Sequence, residues 1–362
     1  MIRARLGQNM VRIHDLHVAR TEPLIAPRLL KSELPLPEAT AQWIADTRHA
    51  LARIISGADQ RLLCIVGPCS IHDPVAAWEY AQRLAELASE LREQLFVVMR
   101  VYFEKPRTTI GWKGLISDPR MDDSCDMQAG LRIARELLLK IALLGLPAAT
   151  ELLDPITPQY LADLISWAAV GARTTESQTH REMASGLSMP LGFKNRTDGD
   201  LKIALDAIES ARWPHSFLGI DQDGQTAIIR TTGNPLTHIV LRGGRGPNYD
   251  AASIAQCEQM LARANLPIRL MVDCSHGQTN KDYTRQPLVL DALLTQIVAG
   301  NRSILGVMVE SNLFAGNQPL TKDSSALAYG VSITDPCIDW PATETCLRQA
   351  AARLASLPSR QP

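Results

Sequence analysis

The chain has 362 residues, 46% of them hydrophobic, with 37 Lys+Arg against 38 Asp+Glu and a formal net charge of −1. Such a composition builds a large core and excludes global disorder, and it lacks the broad basic excess that would make nucleic acid the main partner. The seven cysteines are scattered with no CxxC pair, which points to a reducing compartment, the cytoplasm. No apolar run reaches the ~18 residues that span a bilayer, so no membrane partner is expected. The opening MIRARLGQNMVRIHD is basic without an apolar core segment and is not a signal peptide; Met1 and Met10 are both possible starts.

Residues 1–37, with Pro23, Pro27, Pro35 and Pro37, read as an irregular arm, and 38–362 as a single domain. After a helical pattern at 38–57, one motif recurs: a short apolar run, a polar residue at its end, a loop, an amphipathic helix. The runs are 62–67, 95–101, 147–151, 167–173, 190–195, 238–244, 268–276 and 304–311. Helical patterns between them cover 75–92, 128–145, 176–188, 199–212, 250–264 and 286–299. Strands alternating with helices imply parallel βαβ units, and eight of them predict an α/β fold, a TIM (β/α)8 barrel. A doubly wound sheet is the alternative, but no GxGxxG follows the first run. Asp223-Gly224 between two apolar runs predicts an inserted β-hairpin at 216–230.

In a barrel the ligand face is formed by the residues just after each strand. Here those are Cys69, Arg100, Glu151, Arg173, Lys194, Arg242, His276 and Glu310, all charged or metal-capable. The stretch RVYFEKPRTTIGWKG (100–114) adds Lys105, Arg107 and Lys113 against one acid, Glu104, with Pro106 stiffening it and Thr108 and Thr109 supplying hydroxyls. Arg100, Lys105, Arg107, Arg173, Lys194 and Arg242 around one mouth suit a substrate with at least three negative charges; solvated basic loops and surface salt bridges are the alternative. Cys69, His276 and Glu310, joined by Asp335, suit a divalent transition metal such as Mn, Fe, Co or Zn. A buried structural Cys and a core His are the alternative there. Glu151 is a candidate for orienting or deprotonating water, or else a salt-bridge partner.

GPCSIHD (67–73), RVYFEKPRTTIGWKG (100–114), GARTTESQTHR (171–181), GFKN (192–195), LRGG (241–244), VDCSHGQTNKDY (272–283), ESN (310–312) and YGVSITDPCIDW (329–340) closely resemble the microbial class I 3-deoxy-7-phosphoheptulonate (DAHP) synthases. The resemblance implies condensation of phosphoenolpyruvate with erythrose 4-phosphate, the first step of the shikimate pathway. It implies Cys69, His276, Glu310 and Asp335 as metal ligands. It places phosphoenolpyruvate on Arg100, Lys105, Arg173, Lys194, Arg242 and the backbone of Ala172, and the erythrose phosphate near Arg107 and Thr108. Lys105 becomes the candidate acid for the developing alkoxide. One departure is visible: Arg196 stands where the family commonly has Gly, so a left-handed backbone there would be strained.

The barrel accounts for neither residues 1–37 nor the hairpin. In the family such additions form an inhibitor pocket for an aromatic amino acid, built partly by a neighbouring subunit's arm. The resemblance therefore implies a regulatory arm, a homo-oligomer (dimer or tetramer), and a pocket of Gln159, Leu187, Ser188, Phe217, Gly219 and Ile229. Gly219, where phenylalanine-sensitive relatives tend to carry Ser, favours tyrosine as effector, with tryptophan next. The rival functions are a synthase using a five-carbon sugar phosphate, a metal-dependent aldolase, and an inactive regulatory barrel.

Overall fold

The structure, a computed structural model, describes residues 13–107, 109–321 and 324–356. Thr108 and the first twelve residues of the arm lie outside the described residues. The strands are β1 (Leu62–Gly67), β2 (Leu95–Arg100), β3 (Ala148–Glu151), β4 (Trp167–Val170), β5 (Leu191–Lys194), β6 (Ser216–Ile220), β7 (Thr226–Arg230), β8 (Thr237–Leu241), β9 (Leu270–Asp273) and β10 (Ile304–Glu310). Eight of them close into a barrel in the order β1-β10-β9-β8-β5-β4-β3-β2, and the pairings between them are parallel. The doubly wound alternative is therefore excluded. Strands buried on both faces explain why each reads as a continuous apolar run rather than an alternating one.

The barrel interior is a core of its own. Leu63, Ile65, Val98, Ala149, Trp167, Ala169, Val240, Met271 and Met308 pack there with Leu51, Ile54 and Ile55 of the helix Glu38–Ser56. That helix ends at Gly57, shortly before β1 begins, so it closes the barrel at the strands' N-terminal end. Trp167 fills the interior because Gly192 opposite it has no side chain; a Cβ there would lie 2.6 Å from the indole. With that end plugged, the strand C-termini form the accessible mouth. Among the described residues no helix is long and apolar enough to cross a membrane.

Three α-helices, Pro27–Glu33, the single turn Pro158–Leu161 and Trp340–Ala355, lie outside the helical patterns read from the sequence. Pro27–Glu33 lies inside the supposedly irregular arm, with Pro27 in its first turn and no side-chain cap. It is held by tertiary contacts: Arg28 pairs with Asp223 (2.6 Å), its N–H donates to the Gln222 carbonyl (2.8 Å), and Tyr160 donates to the Ile25 carbonyl (2.6 Å). A seven-residue helix is too short to be stable alone, so no local signal announces it. Trp340–Ala355 is capped by Asp339, whose carboxylate accepts from the Ala342 N–H. The hairpin β6–β7 forms as expected, antiparallel, with Phe217 opposite Ile229 and Gly219 opposite Ala227.

Candidate active site

Two of the cations sit at strand ends below the mouth, and each meets a buried carboxylate. Arg100, the last residue of β2, donates from Nη2 to Glu310 Oε1 (3.0 Å) and from Nε to the Pro68 carbonyl (3.0 Å), and its guanidinium lies 3.5 Å from the centre of the Tyr102 ring. Lys194, ending β5, donates to Asp273 Oδ2 at 2.8 Å. The sequence suggested six uncompensated cations around one mouth. The structure corrects this, because Glu310 and Asp273 neutralise the two deepest. Burial opposes ionisation of Asp273, but Lys194 and then His276 hold its carboxyl well below the usual range. Among the described residues Arg107, Arg173, Arg242 and Lys281 line the cleft and form no ion pair within 4.0 Å, so they are charges left for an anion. These groups line a cleft of about 540 Å³.

The sulfur and oxygen donors converge beside that cleft. Ligand atoms of Cys69, Glu310 and Asp335 all lie within 4.8 Å of one another. Cys69 Sγ is 3.5 Å from Asp335 Oδ2, and His276 Nε2 is 3.8 Å from Glu310 Oε1 and 4.0 Å from Asp335 Oδ2. Four separate segments supply them: the loop after β1, the loop after β9, the end of β10 and the loop beyond it. Ser275 Oγ holds the second oxygen of Glu310 at 2.8 Å. Burial, with Glu310 adding, pushes the Cys69 thiol up to about 12. Burial also works against Glu310 and Asp335, yet His276 and Arg100 keep the first, and Lys105 and His276 the second, below the ordinary carboxylate range. Thiol, imidazole and two carboxylates in this arrangement fit a divalent transition metal. Cys69 and Glu310 are fully buried, so these two lie beneath the mouth rather than on it, contrary to the sequence expectation. His276 itself has φ of +56°, and Asn280 and Lys281 in the same loop are also left-handed, a form of local strain that clusters at functional sites.

Lys105 bridges the two groups, with Nζ 3.1 Å from Cys69 Sγ and 3.9 Å from Asp335 Oδ2. Burial opposes its charge, but Cys69 and Asp335 raise its pKa above the usual lysine value. Glu151 ends β3, lines the cleft, and among the described residues makes no ion pair within 4.0 Å. Gly171 leaves room for it: a Cβ there would fall 2.1 Å from Glu151 Oε1. Ala172 lines the cleft with Arg173. Thr197, Asn280, Lys281 and Thr334, in loops that no strand-end rule reaches, also line it and went unrecognised, as did Ser275 beside His276 and Tyr283 at the start of a short 3-10 helix. The concern over Arg196 falls away: it is not left-handed, it does not line the cleft, and it pairs with Asp198 (3.3 Å) and Glu176 (3.8 Å).

Of the six effector candidates, Phe217, Gly219 and Ile229 share one half-buried face of the hairpin, and Gln159 reaches its turn by accepting from Gln222 Nε2 (2.8 Å). Leu187 and Ser188 follow the helix Gln178–Ser185, whose Ser185 bonds Thr231 at the hairpin base (2.6 Å).

The profile of the DAHP synthetase I family matches residues 37–348. The chain is 56% identical over 337 residues to the Tyr-sensitive phospho-2-dehydro-3-deoxyheptonate aldolase of Escherichia coli (strain K12), covering 93% of this chain and 95% of that one. It is 54% identical to the Phe-sensitive enzyme of the same strain, covering 93% and 96%. The solved phospho-2-dehydro-3-deoxyheptonate aldolase of Francisella tularensis SCHU S4 superimposes with a TM-score of 0.90 at 47% identity, covering 93% of this chain and 98% of the other.

Proposed function

The chain belongs to the DAHP synthetase I family, and from that membership and the chemistry of its cleft we infer that it condenses phosphoenolpyruvate, erythrose 4-phosphate and water into 3-deoxy-D-arabino-heptulosonate 7-phosphate and phosphate. This is the first step of the shikimate pathway. One observation supports it above the others: a set of cations for a substrate with two anionic groups and a Cys/His/Glu/Asp donor cluster share one cleft, with Lys105 in reach of the cluster.

Arg173, Lys194, Arg242, Arg100 and the Ala172 backbone hold phosphoenolpyruvate by its phosphate and carboxylate, where charge-assisted hydrogen bonds fix its orientation. Cys69, His276, Glu310 and Asp335 would hold a divalent ion (Mn, Fe, Co or Zn), which when bound supplies a Lewis acid for a carbonyl oxygen. Arg107 and Thr108 receive the phosphate of the four-carbon sugar and bring its aldehyde toward C3 of the enol. As C3 attacks, Lys105 donates a proton to the oxygen that becomes alkoxide. Glu151, free of ion pairs within 4.0 Å among the described residues, takes a proton from the water that adds at C2. Cleavage of the C2–O bond then releases phosphate. His276, a catalytic candidate as well, contributes through the metal site.

The same reading assigns feedback inhibition to an aromatic amino acid, tyrosine favoured, bound at Gln159, Leu187, Ser188, Phe217, Gly219 and Ile229. A dimer or tetramer places a neighbour's arm near that pocket. The test is product analysis by mass and phosphate assay on purified protein with divalent metal. A seven-carbon phosphate made in step with phosphate release supports the assignment. A product from a five-carbon sugar phosphate and none from erythrose 4-phosphate overturns it.

A further inference from the structure

We propose that Asp273 is a positioning residue that couples the two halves of the cleft, orienting metal-facing His276 and substrate-facing Lys194 through one shared carboxylate oxygen. The inference rests on the ligand and substrate assignments above and adds to them a residue that carries neither role.

Asp273 ends β9 and is fully buried. Its Oδ1 accepts the Ser275 N–H at 3.1 Å, which fixes the carboxylate plane. Its Oδ2 lies 2.8 Å from Lys194 Nζ and 3.1 Å from His276 Nδ1. The histidine contact is at hydrogen-bond length but too far off direction to count as a hydrogen bond, so among the described residues the buried Nδ1 has no hydrogen-bond partner. Active-site contacts are commonly loose in this way before ligands engage. A carboxylate on Nδ1 selects the tautomer with the proton there and leaves the Nε2 lone pair free. Nε2 is the nitrogen turned toward Glu310 and Asp335, at 3.8 and 4.0 Å. The carboxylate thus sets which nitrogen is offered to the metal.

The shared oxygen has a second consequence. In this structure Oδ2 gives its well-formed hydrogen bond to the ammonium at 2.8 Å, while the imidazole contact stays misaligned. A phosphate drawing Lys194 away releases Oδ2 to His276, making the imidazole a better ligand. Substrate and metal should then tighten one another's binding, by the same factor in both directions.

Two measurements test this without sugar phosphate, so they fail independently of the proposed reaction. In metal-stripped wild-type protein at pH 8, nitrogen-15 NMR of the imidazoles, with His276 assigned through His276→Gln, should show the Nδ1–H tautomer. An Nε2–H or doubly protonated ring overturns the proposal, and this holds whether or not any Asp273 variant folds. In Asp273→Asn, Co²⁺ affinity by chelator competition should fall roughly ten- to hundredfold. The factor by which phosphoenolpyruvate tightens Co²⁺ binding should also drop at least threefold. A folded variant with wild-type Co²⁺ affinity, or with the coupling factor unchanged, overturns it.

Discussion

Removing Lys194 should damage the protein in two separable ways. Its side chain is 4% exposed, Asp273 is 0% exposed, and the two meet at 2.8 Å. Lys194→Ala leaves that carboxylate buried with only the misaligned His276 contact. Stripping one partner from a buried pair costs about 3–5 kcal/mol, and the residual imidazole contact places the expected loss near the lower figure. The lysine is also assigned to phosphoenolpyruvate. A hydrogen bond to a charged group is worth about 1.5–3 kcal/mol, which is roughly a 10- to 150-fold loss of affinity. Lys194→Ala/Asp273→Ala separates the effects, because it removes the stranded charge without restoring the substrate contact. Urea unfolding should show the single variant destabilised and the double variant largely recovered. Calorimetric titration with phosphoenolpyruvate should show weakened binding in both, while the Michaelis constant for erythrose 4-phosphate in the single variant changes less. A single variant as stable as wild type refutes the buried-pair argument. Unchanged phosphoenolpyruvate affinity refutes the substrate assignment.

Cys69→Ala and His276→Ala should each abolish turnover, and chelated wild-type protein should keep no more than a few per cent of the activity regained on reloading. Appreciable metal-free activity contradicts the ligand assignment. Burial, with Asp154 next, pushes the Glu104 carboxyl up from 4.5 to about 8. The folded protein then keeps a proton that the unfolded chain releases across that window, so this group's contribution to stability falls as pH rises from 4.5 to 8. Paired melts should show Glu104→Gln gaining on wild type between pH 5 and pH 8.5; an equal difference at both pH values contradicts the raised value. A Cβ at Gly219 would lie 2.8 Å from Ile229 Cγ1, so Gly219→Ser should displace that side chain and weaken inhibition by tyrosine. Unchanged tyrosine inhibition, or stronger inhibition of wild type by phenylalanine, contradicts the pocket.

The barrel was legible because each strand is buried on both faces and so reads as an unbroken apolar run. Strand C-termini in a barrel all face one cleft, which is why Arg100, Glu151, Lys194 and Glu310 could be assembled from positions far apart in sequence. Asp273 was not legible. It sits inside the run VDCSH, three residues before His276, and its importance depends on β9 lying two strands from β5, so that it meets Lys194. Asn280 and Lys281 were missed for a related reason: their left-handed backbone turns the loop back into the cleft, and neither residue type demands that conformation. The helix Pro27–Glu33 exists through contacts with Asp223, Gln222 and the segment at Tyr160, all distant in sequence.

In the proposed reaction this cleft joins C3 of phosphoenolpyruvate to an aldehyde and releases phosphate by breaking the C2–O bond. Phosphoenolpyruvate carrying oxygen-18 in the bridging position tests it most directly, with mass analysis of the phosphate formed in the presence and absence of erythrose 4-phosphate. Phosphate should be released only when both substrates and a divalent metal are present, with the label retained in it. Release without the sugar phosphate, or phosphate that has lost the bridging label, contradicts that reaction.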